Sequence, residues 1–337
     1  MDVLSDVLRE VRLTGAVYFD VHAGAPWIAT TPGSSTICAG VMPEFEHVIG
    51  FHVVLDGRGW AQLVDESQPA ICLDAGDAVI IARGDGHSIS SEPGTHAVPD
   101  ADLYRRPTSG TLPFVLHEFG GRGEKARVVC GFRGCDARPY NPVLDALPRM
   151  LHVRRASAAG ILTFDLLRSA LEESQQPRAG GETILAKISE LMFLHAVRQH
   201  IDSLPDESTG WLAGLRDRHV GAALRAMHAR PAQPWTLDAL GREAGLSRTA
   251  FSLRFTEVMG ISAIQYLSKW RLQVAAGLLD RHAMSIARIA DAVGFGSEAA
   301  FNRAFKRGVG TPPGASRRPR WRMRGRRSRH WIVSSTT

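Results

Sequence analysis

The sequence has few cysteines, no long hydrophobic run and no segment typical of a leader peptide. Its four cysteines lie at uneven spacing and form neither a disulfide framework nor a zinc-binding pattern. No segment approaches the roughly 18 consecutive apolar residues that a membrane span needs. The first residues lack the basic and apolar stretches of a signal peptide. These absences predict a cytoplasmic protein.

Acidic residues are scarce in the C-terminal part of the chain. Residues 211–337 carry 22 Lys and Arg against 7 Asp and Glu, a net +15, whereas residues 1–210 carry 18 against 27, a net −9. A length of 337 residues allows two or three domains, each with its own core. A basic part joined to an acidic part indicates a polyanion partner for the basic part, or a charge asymmetry that only aids solubility.

The N-terminal part reads as a β-rich domain followed by helices. Short β-rich runs such as 51–55 and 78–81 alternate with turn residues from about 15 to 137, which predicts a small barrel or sandwich. Three prolines at 139, 142 and 148 then mark a linker. Apolar residues recur at helical spacing over 161–173 and 182–200. Such a helical pair, without visible chemistry, predicts packing or a dimer face.

Residues 236–255 carry a compact helix-turn-helix pattern that recurs at residues 285–306. Thr236 and Ser247 are suited to cap two helices, and Gly245 between them is suited to the left-handed turn. The predicted apolar inner face of the second helix consists of Ala250, Phe251 and Phe255. The second copy repeats the pattern with Ser285, Gly294, Ser297, Phe301 and Phe305. In such a motif the second helix enters the major groove of DNA. Two copies in register are a strong signal of DNA binding.

One continuous helix is predicted between the two copies. Residues 262–279 can form a helix roughly 27 Å long. A stiff spacer of that order can hold two recognition helices about one DNA turn apart, near 34 Å. One polypeptide could therefore read two successive major-groove faces without a dimer partner.

The run Phe-Asn-Arg-Ala-Phe-Lys-Arg at 301–307, followed by Gly310, is the most specific feature of this region, and Leu-Ser-Arg at 246–248 adds to it. On these residues, segment 211–318 resembles the DNA-binding domain of the AraC/XylS family of transcription regulators. Two positions depart from the family pattern, Ala263 in place of Pro and Ser316 in place of an aromatic residue. The second departure bears on the packing of the final turn. The resemblance implies double-stranded promoter or operator DNA as partner, with RNA polymerase and a second copy as further candidates.

The resemblance also implies roles for the outer faces of the two recognition helices. The candidates for reading base edges are Thr249, Ser252, Leu253, Ala299, Ala300, Asn302 and Arg303. The candidates for phosphate contacts are Arg248, Arg254, Lys306 and Arg307. For each phosphate candidate the alternative is a solvated face, and Arg303 could instead contact phosphate or the protein itself. The eight arginines of 317–329 predict a disordered tail, either a weak phosphate attractor or a dispensable extension.

Gly76, Gly84 and His87 have the spacing of the second motif of cupin barrels, although Ala82 and Ser91 replace its usual Pro and Asn. The N-terminal part thus resembles the cupin-type sensory domains of AraC-like regulators. The predicted fold class is α+β multidomain, with an N-terminal cupin-like β-barrel, a helical linker and an all-α domain with two helix-turn-helix motifs. The expected boundaries are 1–138 for the sensory domain, 139–210 for the linker and helical region, 211–318 for the DNA-binding domain and 319–337 for the tail.

A cupin enzyme needs about three His and one Glu on a metal ion. Only His87 retains the residue type expected at its ligand position. The two His positions of the first motif hold Glu44 and Glu46, and its Glu position holds Gly50. His47 and His52 lie out of register, which predicts that they point to the opposite face. We therefore expect no catalytic residue, no cofactor and no metal. His52 and His87 remain candidates for the pocket of a small effector, or for ordinary core positions.

Two alternatives in function stay open at this point. Cys130 and Cys135 could make the regulator redox-responsive, with Arg133 between them favouring a thiolate, or they could be inert buried thiols. A metal-dependent cupin enzyme with an accessory domain is the rival from another class. A DNA-binding architectural protein without signal input is a third reading, which would leave the barrel without a purpose.

Overall fold

A computed structural model gives the architecture of the chain and describes residues 2–11, 13–43, 45–104, 112–135, 139–174, 180–281 and 283–317. The predicted tail at 319–337 lies outside these ranges. The chain forms an N-terminal β domain, a helical layer and a C-terminal helical domain. Among the described helices, none has the length and apolar character needed to cross a membrane.

Ten strands in the described ranges build the N-terminal domain. Their bounds are β1 (Thr14–Gly24), β2 (Ile28–Thr31), β3 (His47–Asp56), β4 (Arg58–Leu63), β5 (Ile71–Asp74), β6 (Ala78–Ile81), β7 (His87–Ser90), β8 (Phe114–Gly120), β9 (Lys125–Cys135) and β10 (Leu151–Val153). They form a six-stranded sheet in the order β10-β6-β3-β9-β1-β8 and a four-stranded sheet in the order β2-β7-β4-β5. The pairs are antiparallel except β1 with β8, which is parallel.

The burial pattern shows which faces of the strands are covered. β4 alternates between buried and partly exposed residues, as expected for a strand with one face on the core. β3 is buried continuously from residue 48 to 54, because helices cover its second face. No strand ladder joins the two sheets within the described residues. The domain is therefore an open two-sheet sandwich of cupin type, one of the two forms, barrel or sandwich, that the β-rich runs predicted.

Five α-helices among the described residues accompany the β domain. They are α1 (Val3–Glu10), α2 (Ser34–Val41), α3 (Pro142–Ala146), α4 (Ala158–Ser174) and α5 (Gly181–Ser203), and a short 3-10 turn covers Asp102–Tyr104. The α4–α5 pair is the predicted helical layer. It is joined to the sheet by polar contacts, since the Tyr18 hydroxyl donates to the Leu185 carbonyl at 2.6 Å and Arg133 donates to the Ala186 carbonyl at 2.9 Å.

The C-terminal domain consists of helices connected by short turns. Their bounds are α6 (Trp211–Arg216), α7 (Arg218–Ala229), α8 (Leu237–Ala244), α9 (Arg248–Met259), α10 (Ala263–Arg281), α11 (Ile286–Ala292), α12 (Glu298–Val309) and α13 (Pro313–Ser316). The pairs α8–α9 and α11–α12 are the two predicted helix-turn-helix units. The predicted spacer is α10, whose 19 residues span roughly 28 Å.

The hydrophobic cores of the two units differ in their connections. One continuous core extends from α1 through both sheets and the helical layer to Trp270, and includes the first unit. The second unit has a separate core, whose buried members among the described residues are Leu272, Ala275, Leu279, Ile289, Ala290, Val293, Phe301 and Phe305. The first unit is thus packed as part of the sensory body, and the second is attached mainly through α10.

A buried glutamine on α10 joins the DNA-binding domain to the N-terminal part. The Gln273 side chain is 2% exposed; its Nε2 donates to the Glu10 carbonyl at 3.2 Å, and its Oε1 accepts from the Tyr140 backbone N–H at 3.0 Å. Beside it, Arg281 forms an ion pair with Glu10 at 2.6 Å. These contacts hold α10 against α1 and the linker.

Candidate DNA interface and sensory core

Local side-chain caps position both recognition helices. The hydroxyl of Ser247 accepts from the Ala250 N–H at 3.3 Å at the start of α9, and the hydroxyl of Ser297 accepts from the Ala300 N–H at 3.1 Å at the start of α12. Gly245, which ends α8, has φ of 66°, the left-handed conformation predicted for the turn. Ala250 is exposed, so its predicted place on the inner face is wrong. It lies about 100° around the helix from the buried Phe251.

The base-reading candidates lie on the outward side of both helices. On α9, Leu253 is 68% exposed, Thr249 is exposed and Ser252 is half-buried. On α12, the exposed candidates are Ala299 and Arg303, and the half-buried ones are Ala300 and Asn302. The base-reading candidates on α9 are therefore short or apolar, whereas those on α12 include the Asn302 amide and the Arg303 guanidinium.

The four phosphate candidates do not have the same surroundings. Arg254 is engaged within the chain, because its Nη2 and Nε lie 2.7 and 3.0 Å from the Asp217 carboxylate. Arg248 is only loosely paired, with 3.9 Å between its Nη1 and an Asp238 oxygen. Lys306 and the neighbouring Arg307 are exposed at the end of α12. Arg254 is thus held within the first unit, which leaves Arg248 on α9 and Lys306 and Arg307 on α12 as the candidates open to a polyanion.

A buried aromatic cluster supports the first unit. His228 stacks on Trp270 with 3.9 Å between ring centroids, and its Nε2 lies 2.7 Å from the Tyr266 hydroxyl. That hydroxyl also accepts from the indole N–H of Trp211 at 2.9 Å. Burial lowers the pKa of His228 to about 3. Arg271 next to the cluster donates to the carbonyls of 231 and 233, which joins α10 to the turn before α8.

In the sensory domain, three predicted site residues form one buried hydrogen-bonded chain. His87 Nδ1 lies 2.8 Å from the Asp85 carbonyl, His87 Nε2 lies 2.7 Å from His52 Nε2, and His52 Nδ1 lies 2.9 Å from Cys130 Sγ. A carbonyl only accepts, so His87 carries its proton on Nδ1. His52 must then donate through Nε2, and its Nδ1 accepts the thiol proton of Cys130. The chain connects the two sheets across the core.

Burial keeps this chain neutral. It lowers the pKa of His87 to about 4 and the pKa of His52 well below its usual value, and it raises the pKa of Cys130 to about 12. The thiolate that the redox alternative required at Cys130 is therefore not supported, and the other alternative, an inert buried thiol, agrees with the structure. The guanidinium of Arg133 does not serve the thiol, since it donates to the Leu13 carbonyl and to α5.

Strand register explains why sequence reasoning misplaced His52. His52 lies two residues after Gly50, and such residues share one face of a strand. A Cβ on Gly50 would lie 3.2 Å from the His87 ring, so both positions face His87. The expectation that His52 points to the opposite face is wrong. His47 does lie elsewhere, with its Nε2 3.0 Å from the Ala82 carbonyl. Glu44 lies outside the described residues.

The geometry of the described residues supports neither a disulfide between Cys130 and Cys135 nor a metal site. Cys130 and Cys135 are five residues apart on the extended strand β9, or about 16 Å. A disulfide needs Cα atoms within about 7 Å, so the two cannot be joined. In the part of the chain that the structure describes, no group of three His, Cys, Asp or Glu is arranged to hold a metal ion.

Comparison with known proteins agrees with both halves of this architecture. The family profile described as Cupin matches residues 2–202, and that described as Helix-turn-helix domain matches residues 240–319. An AraC-like transcription regulator of Streptomyces lividans is 31% identical over 320 residues, covering 94% of this chain and 98% of the relative. The transcriptional regulator AlkR of Acinetobacter baylyi is 28% identical over 311 residues, covering 91% and 96%.

The fold and the two outer helix faces define a DNA-binding transcription regulator with a cupin-type sensory domain. With these relatives, the chain belongs to the AraC-like family of transcription regulators. The prediction of class and architecture is confirmed. The redox alternative and the metal-dependent enzyme are not supported.

Proposed function

We propose that this regulator reads two successive major-groove segments of one operator, one with α9 and one with α12, in response to a small effector bound in its β domain. The observation that carries the proposal is the duplication itself. Two helix-turn-helix units, each with a capped recognition helix of 12 residues, are joined by one uninterrupted helix of 19 residues. The length of α10, roughly 28 Å, suits a separation of about one DNA turn.

The two helices are assigned different kinds of readout. Arg303 and Asn302 on α12 carry the donors that can pair with guanine and with adenine edges. On α9, Leu253 and the methyl group of Thr249 can contact thymine methyl groups. Lys306, Arg307 and Arg248 remain proposals for phosphate contacts. Arg254 is not included, because Asp217 already holds it.

The test is selection of bound DNA from a random pool with the full chain, followed by affinity measurements on the selected site. Arg303→Ala is expected to weaken that site by roughly 1–3 kcal/mol and to relax preference at one base pair. Lys306→Ala is the matched control on the same helix, and it should weaken all sequences alike and reduce the salt slope by about 1. If Arg303→Ala also weakens all sequences equally, Arg303 contacts phosphate.

The oligomeric state, the further partner, the location and the domain boundaries are also proposed. Apolar side chains of the helical layer, Ile161, Leu162 and Ile184, are 51%, 41% and 39% exposed and support a homodimer through this layer. Sedimentation of the full chain would test it. Contact with RNA polymerase, a cytoplasmic location, the absence of enzymatic activity and the boundaries 1–138, 139–210, 211–318 and 319–337 are likewise proposed from the family's function.

A further inference from the structure

The turn at residues 230–235, between α7 and α8, contacts both helix-turn-helix units. Its last residue, Trp235, is 7% exposed and belongs to the continuous core that includes the first unit. The indole N–H of Trp235 donates to the Arg230 carbonyl at 3.0 Å, which closes the turn. The same turn reaches the second unit at Ala232, whose backbone lies against Gly294. The two units are therefore in contact at a point outside α10.

The contact between Ala232 and Gly294 is a close approach of two backbones. A Cβ on Gly294 would lie 2.5 Å from the Ala232 carbonyl oxygen and 2.7 Å from the Ala232 Cα. Both distances are far below the roughly 3.5–4.0 Å of a favourable contact between carbon atoms. A side chain at position 294 would therefore push the second unit away from the turn.

The equivalent glycine of the first unit separates this contact from the demands of the helix-turn-helix itself. Gly245 and Gly294 have φ of 66° and 80°, so both adopt the left-handed conformation that joins the two helices of a unit. A Cβ on Gly245, however, would meet no described atom within 4 Å beyond its chain neighbours. The turn conformation explains glycine at both positions, and the approach of Ala232 is an additional constraint at Gly294.

Arg271 of α10 holds the turn at residues 230–235 in place. Its Nε donates to the Pro231 carbonyl and its Nη2 donates to the Gln233 carbonyl, both at 2.7 Å. These two carbonyls flank Ala232 in the chain, so the guanidinium fixes the backbone on each side of the contact with Gly294. A planar guanidinium presents several donors in a fixed geometry, which a lysine ammonium does not reproduce.

Arg271 also lies where the two hydrophobic cores meet on α10. Trp270 belongs to the continuous core, and Leu272 belongs to the core of the second unit. Long helices are seldom straight, and bending of α10 at this boundary would turn one unit relative to the other. The contact of Gly294 with the turn spans the same boundary, so it opposes such bending.

We propose that Arg271, the turn at 230–235 and Gly294 form a clamp that fixes the offset between the two recognition helices and thereby determines which spacing of operator half-sites the regulator accepts. The inference rests on the proposed reading of two major-groove segments, and it concerns the geometry between the segments instead of their base sequence. Arg271 contacts no base in this role and is a positioning residue.

The clamp should make binding depend strongly on half-site spacing. One additional base pair moves a half-site about 3.4 Å along the duplex and about 34° around it. A rigid pair of units can follow this displacement only by distorting the DNA, which should lower affinity roughly tenfold or more. When the clamp is released, the second unit can follow the displaced half-site, so the loss of affinity should be smaller.

The experiment measures the affinity of the full chain for the selected operator and for versions with one base pair added or removed between its half-sites. Arg271→Met keeps most of the aliphatic volume and removes both donors, so the roughly tenfold spacing penalty should fall to about threefold or less. Arg281→Met is the matched control on the same helix, because the partner of Arg281 is Glu10. It should leave the spacing penalty unchanged.

Two glycine variants test the clamp without changing a charge. Gly294→Ala and Gly245→Ala both place a Cβ on a left-handed residue, so both should lower the melting temperature. Only the Cβ at position 294 would meet Ala232. Gly294→Ala should therefore reduce the spacing penalty as Arg271→Met does, whereas Gly245→Ala should leave it unchanged. This pair keeps the test valid if Arg271→Met does not fold.

Three results would overturn the inference. An unchanged spacing penalty in the folded Arg271→Met and Gly294→Ala variants refutes the clamp and leaves the reading of two segments intact. Equal weakening of Arg271→Met at every spacing, with a salt slope reduced by about 1, assigns Arg271 to phosphate instead. An unsubstituted chain that binds all spacings alike refutes the reading of two segments, and the inference with it.

Discussion

The separate core of the second helix-turn-helix unit leads to a prediction about partial unfolding. Phe301 and Phe251 occupy equivalent places in the two units, and each is 0% exposed. Replacing either with Ala removes a fully buried ring, which costs about 3–5 kcal/mol. The surroundings differ, because Phe301 belongs to the separate core of the second unit and Phe251 to the continuous core of the sensory body.

The magnitude decides the outcome for each variant. The second unit, residues 272–316, carries about 2–7 kcal/mol at 0.05–0.15 kcal/mol per residue. Phe301→Ala removes roughly half to all of this, so α11 and α12 should open locally far more often while the remainder stays folded. Phe251→Ala should lower the stability of the whole sensory body without isolating one segment.

Hydrogen exchange followed by mass spectrometry of peptides distinguishes the two results. Phe301→Ala should abolish protection in peptides of α11 and α12 and leave peptides of β3, β9 and α7 protected as in the unsubstituted chain. Binding to the selected operator should fall with it. Retained protection in α12, or loss of protection that spreads equally to the β domain, would show that the two cores are not independent.

The remaining predictions concern acid sensitivity and the domain contact. The pKa values of His228 and His87 lie near 3 and 4 in the fold against 6.5 in the unfolded chain, so the unfolded state takes up protons first and stability falls as pH drops below 6.5. Each group should cost about 2 kcal/mol at pH 5, measured by urea unfolding at pH 7.5 and pH 5, and a flat profile would contradict the buried neutral histidines. Gln273→Leu keeps the volume but leaves the Glu10 carbonyl and the Tyr140 N–H without partners, at about 1–3 kcal/mol each. A lower urea midpoint is expected, and an unchanged one would mean that water replaces the amide.

The DNA-binding half could be predicted from sequence because its determinants are local. A cap such as Ser247 contacts a residue three positions along the chain, and Gly245 acts through its own φ angle. The pattern of apolar residues at helical spacing then fixes which face is buried. Ala250 was placed on the wrong face, because small residues give no clear signal of their side, and the pairing of Arg254 with Asp217 was missed, because the two residues lie 37 positions apart.

The sensory core could not be predicted in the same way. His52 and Cys130 are 78 positions apart and meet because β3 and β9 pair in that register. Register between distant strands depends on the packing of the whole domain, which no spacing in the sequence reveals. The continuity of the core from α1 to the first helix-turn-helix unit has the same origin, since it depends on how separate layers dock.

The ion pair between Arg254 and Asp217 has a consequence for how an operator is bound. Asp217 caps α7 and at the same time neutralises a cation of the first recognition helix, whereas Lys306 and Arg307 of the second helix stay open to solvent. The two helix-turn-helix units therefore differ in the cations that their recognition helices expose. The half-site read by α9, with Arg248 as its one proposed phosphate contact, should therefore lose less affinity as ionic strength rises than the half-site read by α12, with Lys306 and Arg307.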